Sequence, residues 1–193
     1  MMKKENESLM WEEVHTEHLI KDEWIDLRST SWKFPDGSVY GPFYSYTRKD
    51  FVIVVASDTD GNYLCVNQFR QGIRQVTTEF PAGAIEGKDG KELSAELALA
   101  AARRELLEET GYESEEWKHL LTVPSDATIS DNYAHLFMAK NCRRVSGQNL
   151  DETEFMNLLK LPAEEIEKLI REGAFQQAIH ITAWLLAMRE EGK

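Results

Sequence analysis

Residues 90–112, GKELSAELALAAARRELLEETGY, decide how the rest of the chain is understood. They set Gly90, Glu96, Arg104, Glu105, Leu106, Glu108, Glu109 and Gly111 in a segment that otherwise has the pattern of a helix with an alanine and leucine face. Ser94 is the expected N-cap, and Gly111 the expected C′ residue that stops the helix. Ala95, Leu99, Ala102 and Leu106 recur at helical spacing and form the expected inward stripe. Glu105, Glu108 and Glu109 are spaced i, i+3, i+4 and so project from one side. Like charges crowded in this way repel by roughly a few tenths of a kcal/mol per pair. A divalent cation between them would reverse that sign. The bland alternative is a solvated acidic face paired with Arg103 and Arg104.

The whole chain limits what this helix can belong to. At 193 residues it suits one domain with at most a small appended segment, and it is long enough to bury a real core. A formal net charge of −12 argues against a nucleic-acid-backbone binder and against an anionic-membrane binder. It leaves room for a small phosphate-bearing substrate wherever metal ions or local basic residues screen the site. Cys65 and Cys142 lie far from each other in sequence and in no CxxC, the usage of reduced structural cysteines in a cytoplasmic protein. The N-terminus has no apolar signal region, and no apolar run approaches the ~18 residues of a membrane span.

Residues 1–20 are polar and irregular. Residues 24–34 and 39–46 have strand texture and flank Asp36-Gly37, a hairpin signal. Asp58-Thr59-Asp60-Gly61 joins two further β-branched and aromatic runs, 51–56 and 63–68. Beyond the helix, residues 117–123, 133–140 and 155–161 are expected strands. Pro162 opens a short helix at its permissive first position and Gly173 closes it. Residues 175–188 form the last helix, with Ile179, Trp184, Leu185 and Leu186 expected inside. Strands, one helix, strands and two helices indicate an α+β fold.

At the residues first quoted, the sequence resembles a Nudix hydrolase. The family's box is G-x5-E-x7-R-E-U-x-E-E-x-G-U, with U aliphatic. Every fixed position is met here, and only Tyr112 departs, standing at the final aliphatic place. Weaker similarity at Gln68-Phe69-Arg70, Glu79-Phe80-Pro81-Ala82-Gly83, His135-Leu136-Phe137 and Asp151-Glu152-Thr153-Glu154 points to the branch of ADP-ribose pyrophosphatases and nucleoside-diphosphate-sugar hydrolases. The resemblance implies an α/β/α sandwich with a mixed sheet, residues 49–193, preceded by a small N-terminal antiparallel sheet, residues 1–48. It also implies a homodimer.

Carried over residue by residue, the resemblance makes Glu105 and Glu109 the core ligands of Mg²⁺, with Mn²⁺ the other hard cation that carboxylate oxygens suit. Glu108 is a further ligand in some members, and the backbone carbonyl of Ala82 matches another ligand position. Arg104 and Glu96 position the glutamates, while Gly90 and Gly111 serve turn and cap geometry. The general base is expected in a loop, with Glu152 the best match and Glu154 second. Arg70 and Glu79 match substrate-facing positions, and Arg70 suits a phosphate because a guanidinium fork fits its oxygens. Trp32, Phe34, Tyr44 or Tyr46 could stack on a nucleobase, although strand aromatics more often serve a core. His15 and His18, lacking partner ligands, are expected at the surface.

The expected activity is Mg²⁺-dependent hydrolysis of a nucleoside diphosphate linked to a sugar, releasing a nucleoside monophosphate and a sugar phosphate. One departure bears on the substrate. ADP-ribose pyrophosphatases carry a loop proline where this chain has Ala127, which makes another nucleotide sugar comparable with ADP-ribose. Two rival readings remain: a non-catalytic nucleotide-sugar sensor on the same scaffold, and a pyrophosphohydrolase of nucleoside triphosphates or dinucleoside polyphosphates. No nucleic-acid or membrane partner is expected.

Overall fold

The computed structural model describes residues 7–86 and 94–192. Two compact units share them, one formed by the chain up to Lys49 together with Pro124–Asn132, the other by Asp50–Val123 and Tyr133 onward.

The first unit is an antiparallel sheet of β1 (Glu12–Lys21), β2 (Asp26–Lys33) and β3 (Val39–Thr47), in that order. The Asp36-Gly37 hairpin forms as expected: Gly37 takes φ +87°, and Asp36 accepts from the Ser38 amide at 2.9 Å. The expectation of an irregular start fails. Residues 12–21 are a ten-residue strand, almost wholly exposed, so its side chains carry no apolar alternation to betray it. Segment 124–132 closes on the same sheet. Asp131 accepts from Arg28 Nη2 at 2.8 Å and from Thr47 Oγ1 at 2.6 Å, and the Tyr46 amide donates to the Ile129 carbonyl at 2.8 Å.

The second unit holds an eight-stranded mixed sheet built on β4 (Phe51–Asp58) and β5 (Tyr63–Arg70), with β6 (Gln75–Glu79), β7 (Ala82–Ala84), β8 (Tyr112–Glu113), β9 (Glu116–Pro124), β10 (Tyr133–Arg144) and β11 (Met156–Leu161). The path runs β11-β5-β4-β10-β8, and the central pair β4–β10 is parallel. Successive side chains on β4 go to opposite faces, as a strand's period of two requires. Val52, Val54 and Ala56 pack with Ala98, Ala102 and Leu106 of α1 (Ala95–Thr110). Ile53 and Val55 pack with Ile166 of α2 (Ala163–Glu172) and with Ala183, Trp184 and Ala187 of α3 (Ala178–Glu190). Helices thus cover both faces of the sheet, the expected α/β/α sandwich.

Two helical expectations shift. The buried stripe of α1 is Ala98, Ala101, Ala102, Glu105, Leu106 and Glu109, whereas Ala95 is exposed and Leu99 only half-buried. On α3, Leu185 is 59% exposed while Trp184 is fully buried. Pro162 stands at the N-cap of α2, one place ahead of its expected position, and Gly173 ends that helix at φ +72°. Among the described residues no helix is long and apolar enough to cross a membrane.

Leu106 is wholly buried between α1 and the sheet, so its truncation leaves a cavity in a close-packed layer. Leu106→Ala is expected to lower unfolding free energy by about 3 kcal/mol in urea titrations. A loss under about 1 kcal/mol would contradict the packing assigned to this face.

Candidate active site

The site grows from the meeting of α1 with β7. Pairing of Phe51, Val52 and Ile53 with Ala84, Gly83 and Ala82 lays β7 alongside β4. Each of its three residues then meets a different side chain of the helix. The Ala82 amide donates to Glu109 Oε2 at 3.1 Å. Gly83 lies directly under the Glu105 carboxylate, where a Cβ would overlap it. The Ala84 carbonyl accepts from Arg104 Nη2 at 3.0 Å. Gly83 is therefore glycine for lack of space, a reason the sequence pattern does not reveal.

Arg104 also donates to Glu105 Oε1 at 2.5 Å and to Glu108 Oε2 at 2.7 Å. It braces two of the three glutamates while itself tied to β7. Glu105 and Glu109 are 6% and 2% exposed, unusual for carboxylates without a cation each. Burial pushes the Glu105 carboxyl up to about 7, against the opposing pull of Arg104 and with help from the charges of Glu108 and Glu154. Burial likewise raises Glu109 well above the usual range, aided by Glu105 and Glu154 and opposed by the Ala82 amide and Arg70. The two carboxyls thus stand close enough to disfavour each other's charge. Among the described residues no three His, Cys, Asp or Glu side chains stand in metal-holding geometry. The donor chemistry nonetheless suits a hard divalent cation: two adjacent buried carboxylates, with Glu108 and Glu154 in electrostatic reach of Glu105.

The far end of α1 is closed by the loop that carries the expected base. Gly111 takes φ +75° and its amide returns to the Leu107 carbonyl at 2.8 Å. The last carbonyls of a helix lack intrahelical partners. Here the Asn149 amide donates to the Glu108 carbonyl and Gln148 Nε2 to the Glu109 carbonyl, both at 2.8 Å. Val145 and Ser146 amides donate to the Gly111 carbonyl. The chain then reaches a turn in which Glu154 Oε2 accepts from the Asp151 amide at 3.0 Å. Glu154 is half-buried and its charge acts on both Glu105 and Glu109, while Glu152 is exposed.

Arg70 and Glu79 come together as an ion pair. Arg70 Nε lies 2.9 Å and 3.1 Å from the two Glu79 oxygens, and Nη2 lies 2.5 Å from Oε2. Glu79 is completely buried. Glu96 sits exposed in the first turn of α1, its carboxyl lowered by its own backbone amide and by Ser94. Gly90 lies outside the described residues. In the first unit, Trp32 and Tyr44 line a groove of about 940 Å³ with Trp11 and Phe43, and Ala127 borders it. Phe34 stacks instead on Tyr40, 5.2 Å between centroids. His15 is exposed, and His18 pairs with Asp26 at 2.5 Å.

The raised carboxyls make stability depend on pH. A carboxyl whose folded pKa exceeds its unfolded value binds more protons in the native state, so its contribution is full below the ordinary value of 4.5. For Glu105 that contribution is lost as pH rises through about 7. With chelator present, Tm is expected to fall from pH 5 to pH 8, and Glu109→Gln is expected to melt roughly 2–5 °C above the unsubstituted chain at pH 8. A variant less stable than the parent at pH 8 would contradict the electrostatic account.

The comparisons agree with this architecture. The NUDIX domain matches residues 47–185. The chain is 32% identical over 161 residues to the methanol dehydrogenase activator of Bacillus methanolicus, covering 82% of each. It is 26% identical over 164 residues to an ADP-ribose pyrophosphatase of Bacillus subtilis, covering 84% of each. Against an ADP-sugar pyrophosphatase of Mus musculus it is 29% identical over 189 residues, 88% of this chain and 81% of that one. The crystal structure of an ADP compounds hydrolase superposes with TM-score 0.78 at 18% identity, over 93% of this chain and 92% of that one, a likeness of fold. The chain belongs to the Nudix hydrolase family.

Proposed function

We propose that the chain hydrolyses the pyrophosphate bond of ADP-ribose or a related nucleoside diphosphate sugar, giving a nucleoside monophosphate and a sugar phosphate. The observation that carries this reading is the buried pair Glu105 and Glu109, pinned between Arg104 and β7 with Arg70 close by. A sensor that only bound its ligand would gain nothing from two mutually repelling buried carboxylates. The pyrophosphatase relatives from Bacillus subtilis and mouse support the substrate class.

Glu105 and Glu109 would hold Mg²⁺, with Glu108 and the Ala82 carbonyl as further donors. When bound, the cation supplies charge neutralisation to the phosphates. Glu154 is the base we favour, because its charge already acts on the Glu105–Glu109 pair, with Glu152 the alternative on the same turn. It would take a proton from water as the water oxygen bonds to phosphorus and the bridging P–O bond breaks toward the departing phosphate. Arg70 would offset the substrate's negative charge and fix its phosphate. The exposed apolar side chains of the three-stranded sheet, among them Val14, Leu19, Tyr40 and Tyr44, would form the face of a homodimer.

With ADP-ribose, GDP-mannose, UDP-glucose, dinucleoside polyphosphates and dNTPs offered in Mg²⁺, turnover is expected on the nucleotide sugars and is expected to vanish with chelator. Glu154→Gln is expected to lower kcat by roughly 10²-fold or more, the size of a lost general base, and Glu152→Gln far less. The reverse order would move the base to Glu152, and turnover on none of the panel would sink the hydrolase reading. Sedimentation is expected to show a dimer that Tyr44→Glu dissociates; a monomer in the parent would reject the dimer.

A further inference from the structure

Glu79 is held by Arg70, Thr77 and Gln177, the last standing at the start of a helix about a hundred residues later in the chain. Thr77 donates its hydroxyl to Oε1. Gln177 Nε2 donates to Oε1 at 3.2 Å. Gln177 occupies the N-cap of α3 and makes no side-chain capping bond there. His180, in the first turn of α3, is 3% exposed. Its Nδ1 accepts from the Phe80 amide at 3.2 Å, which leaves the ring proton on Nε2, 3.8 Å from Glu79 Oε2. Burial pushes His180 down to about 4, so the ring is neutral and keeps that tautomer. Burial would raise Glu79, but the hydrogen bonds and charge of Arg70 and the hydroxyl of Thr77 outweigh it and hold the carboxyl below its usual range.

Arg70 is thereby fixed by one edge. Its Nε and Nη2 are spent on Glu79, and among the described residues Nη1 has no partner. Its side chain stays 34% exposed, and its charge is felt at Glu109. We infer that Gln177 is a positioning residue for Arg70, acting through Glu79 to aim the free Nη1 edge at the phosphate of the substrate. The inference rests on the pyrophosphohydrolase reading above. It gives α3 a part in substrate affinity although none of its residues need touch the substrate. A buried carboxylate satisfied on every side leaves the arginine one orientation, which lowers the ordering cost of binding.

The test is a double-mutant cycle on the full chain with ADP-ribose and Mg²⁺. Gln177→Ala is expected to raise KM about tenfold with kcat within about twofold, the split of a lost ground-state contact. Arg70→Ala is expected to raise KM further, and the double variant to be no worse than Arg70→Ala alone, because residues acting through one another do not add. Multiplying effects overturn the inference, as does a Gln177 variant that changes only Tm. Gln177→Met, which keeps the side-chain length and loses the donor, guards against simple misfolding. Exchange of the Arg70 Nε–H proton, read by ¹⁵N NMR without substrate, separates the two layers. Slow exchange in the parent and fast exchange in Gln177→Met support the positioning role even if no nucleotide sugar is turned over. Unchanged exchange refutes it whatever the activity.

Discussion

Two carboxylates buried one helical turn apart are the constraint on which this structure depends. Glu105 and Glu109 belong to the inward stripe of α1, where a residue chosen for packing alone would be apolar. Their placement is costly unless something positive lies near. The fold answers with the Ala82 amide on Glu109, the Arg104 guanidinium on Glu105, and a glycine at position 83 that lets the carboxylate settle against backbone. None of these neutralises both charges together. The remaining imbalance is what gives the site its demand for a cation.

Neighbouring elements are arranged around that imbalance. The loop after β10 ties itself to the open C-terminal carbonyls of α1 and so brings Glu154 to the same carboxylates. Helix-end chemistry, needed anyway for stability, doubles as a way to deliver an acid from a different part of the chain. On the other side, Arg70 offers positive charge toward Glu109 while Glu79, itself bonded by Thr77 and Gln177, holds it. The site is thus assembled from α1, β7, the β5–β6 pair and a loop, with α3 behind it.

Much of this was legible because chemistry with fixed spacing leaves a pattern. The part of the box from Glu96 to Glu109, the cap at Ser94 and the stop at Gly111 stand where the residues put them. So do the hairpin at Asp36-Gly37 and the strands that alternate apolar side chains. Strand β1 was hidden because nearly every side chain on it faces water, which removes the alternation that marks a strand. Hydrophobicity alone puts the inward stripe through Ala95 and Leu99, because it cannot foresee that Glu105 and Glu109 are buried members. Gly83 needed the third dimension, since only the approach of Glu105 explains it. The clamp on Glu79 joins positions a hundred apart, and its one local hint was His180 inside an otherwise apolar run, Ala178-Ile179-His180-Ile181. The alliance of segment 124–132 with the N-terminal sheet rests on Asp131 meeting Arg28, a pairing with no sequence period behind it.

Glu105 and Glu109 together would form a divalent-cation site, as we propose. Titration of the metal-free protein with Mn²⁺, followed by the loss of the free-ion EPR signal at pH 7.5, measures this without reference to any substrate. A saturable site is expected in the parent chain, weakened at least about tenfold in Glu109→Gln and again in Glu105→Gln, as for removal of a coordinating ligand. Saturable binding that both substitutions leave unchanged would contradict a cation site at this pair, and so would the absence of saturable binding in the parent.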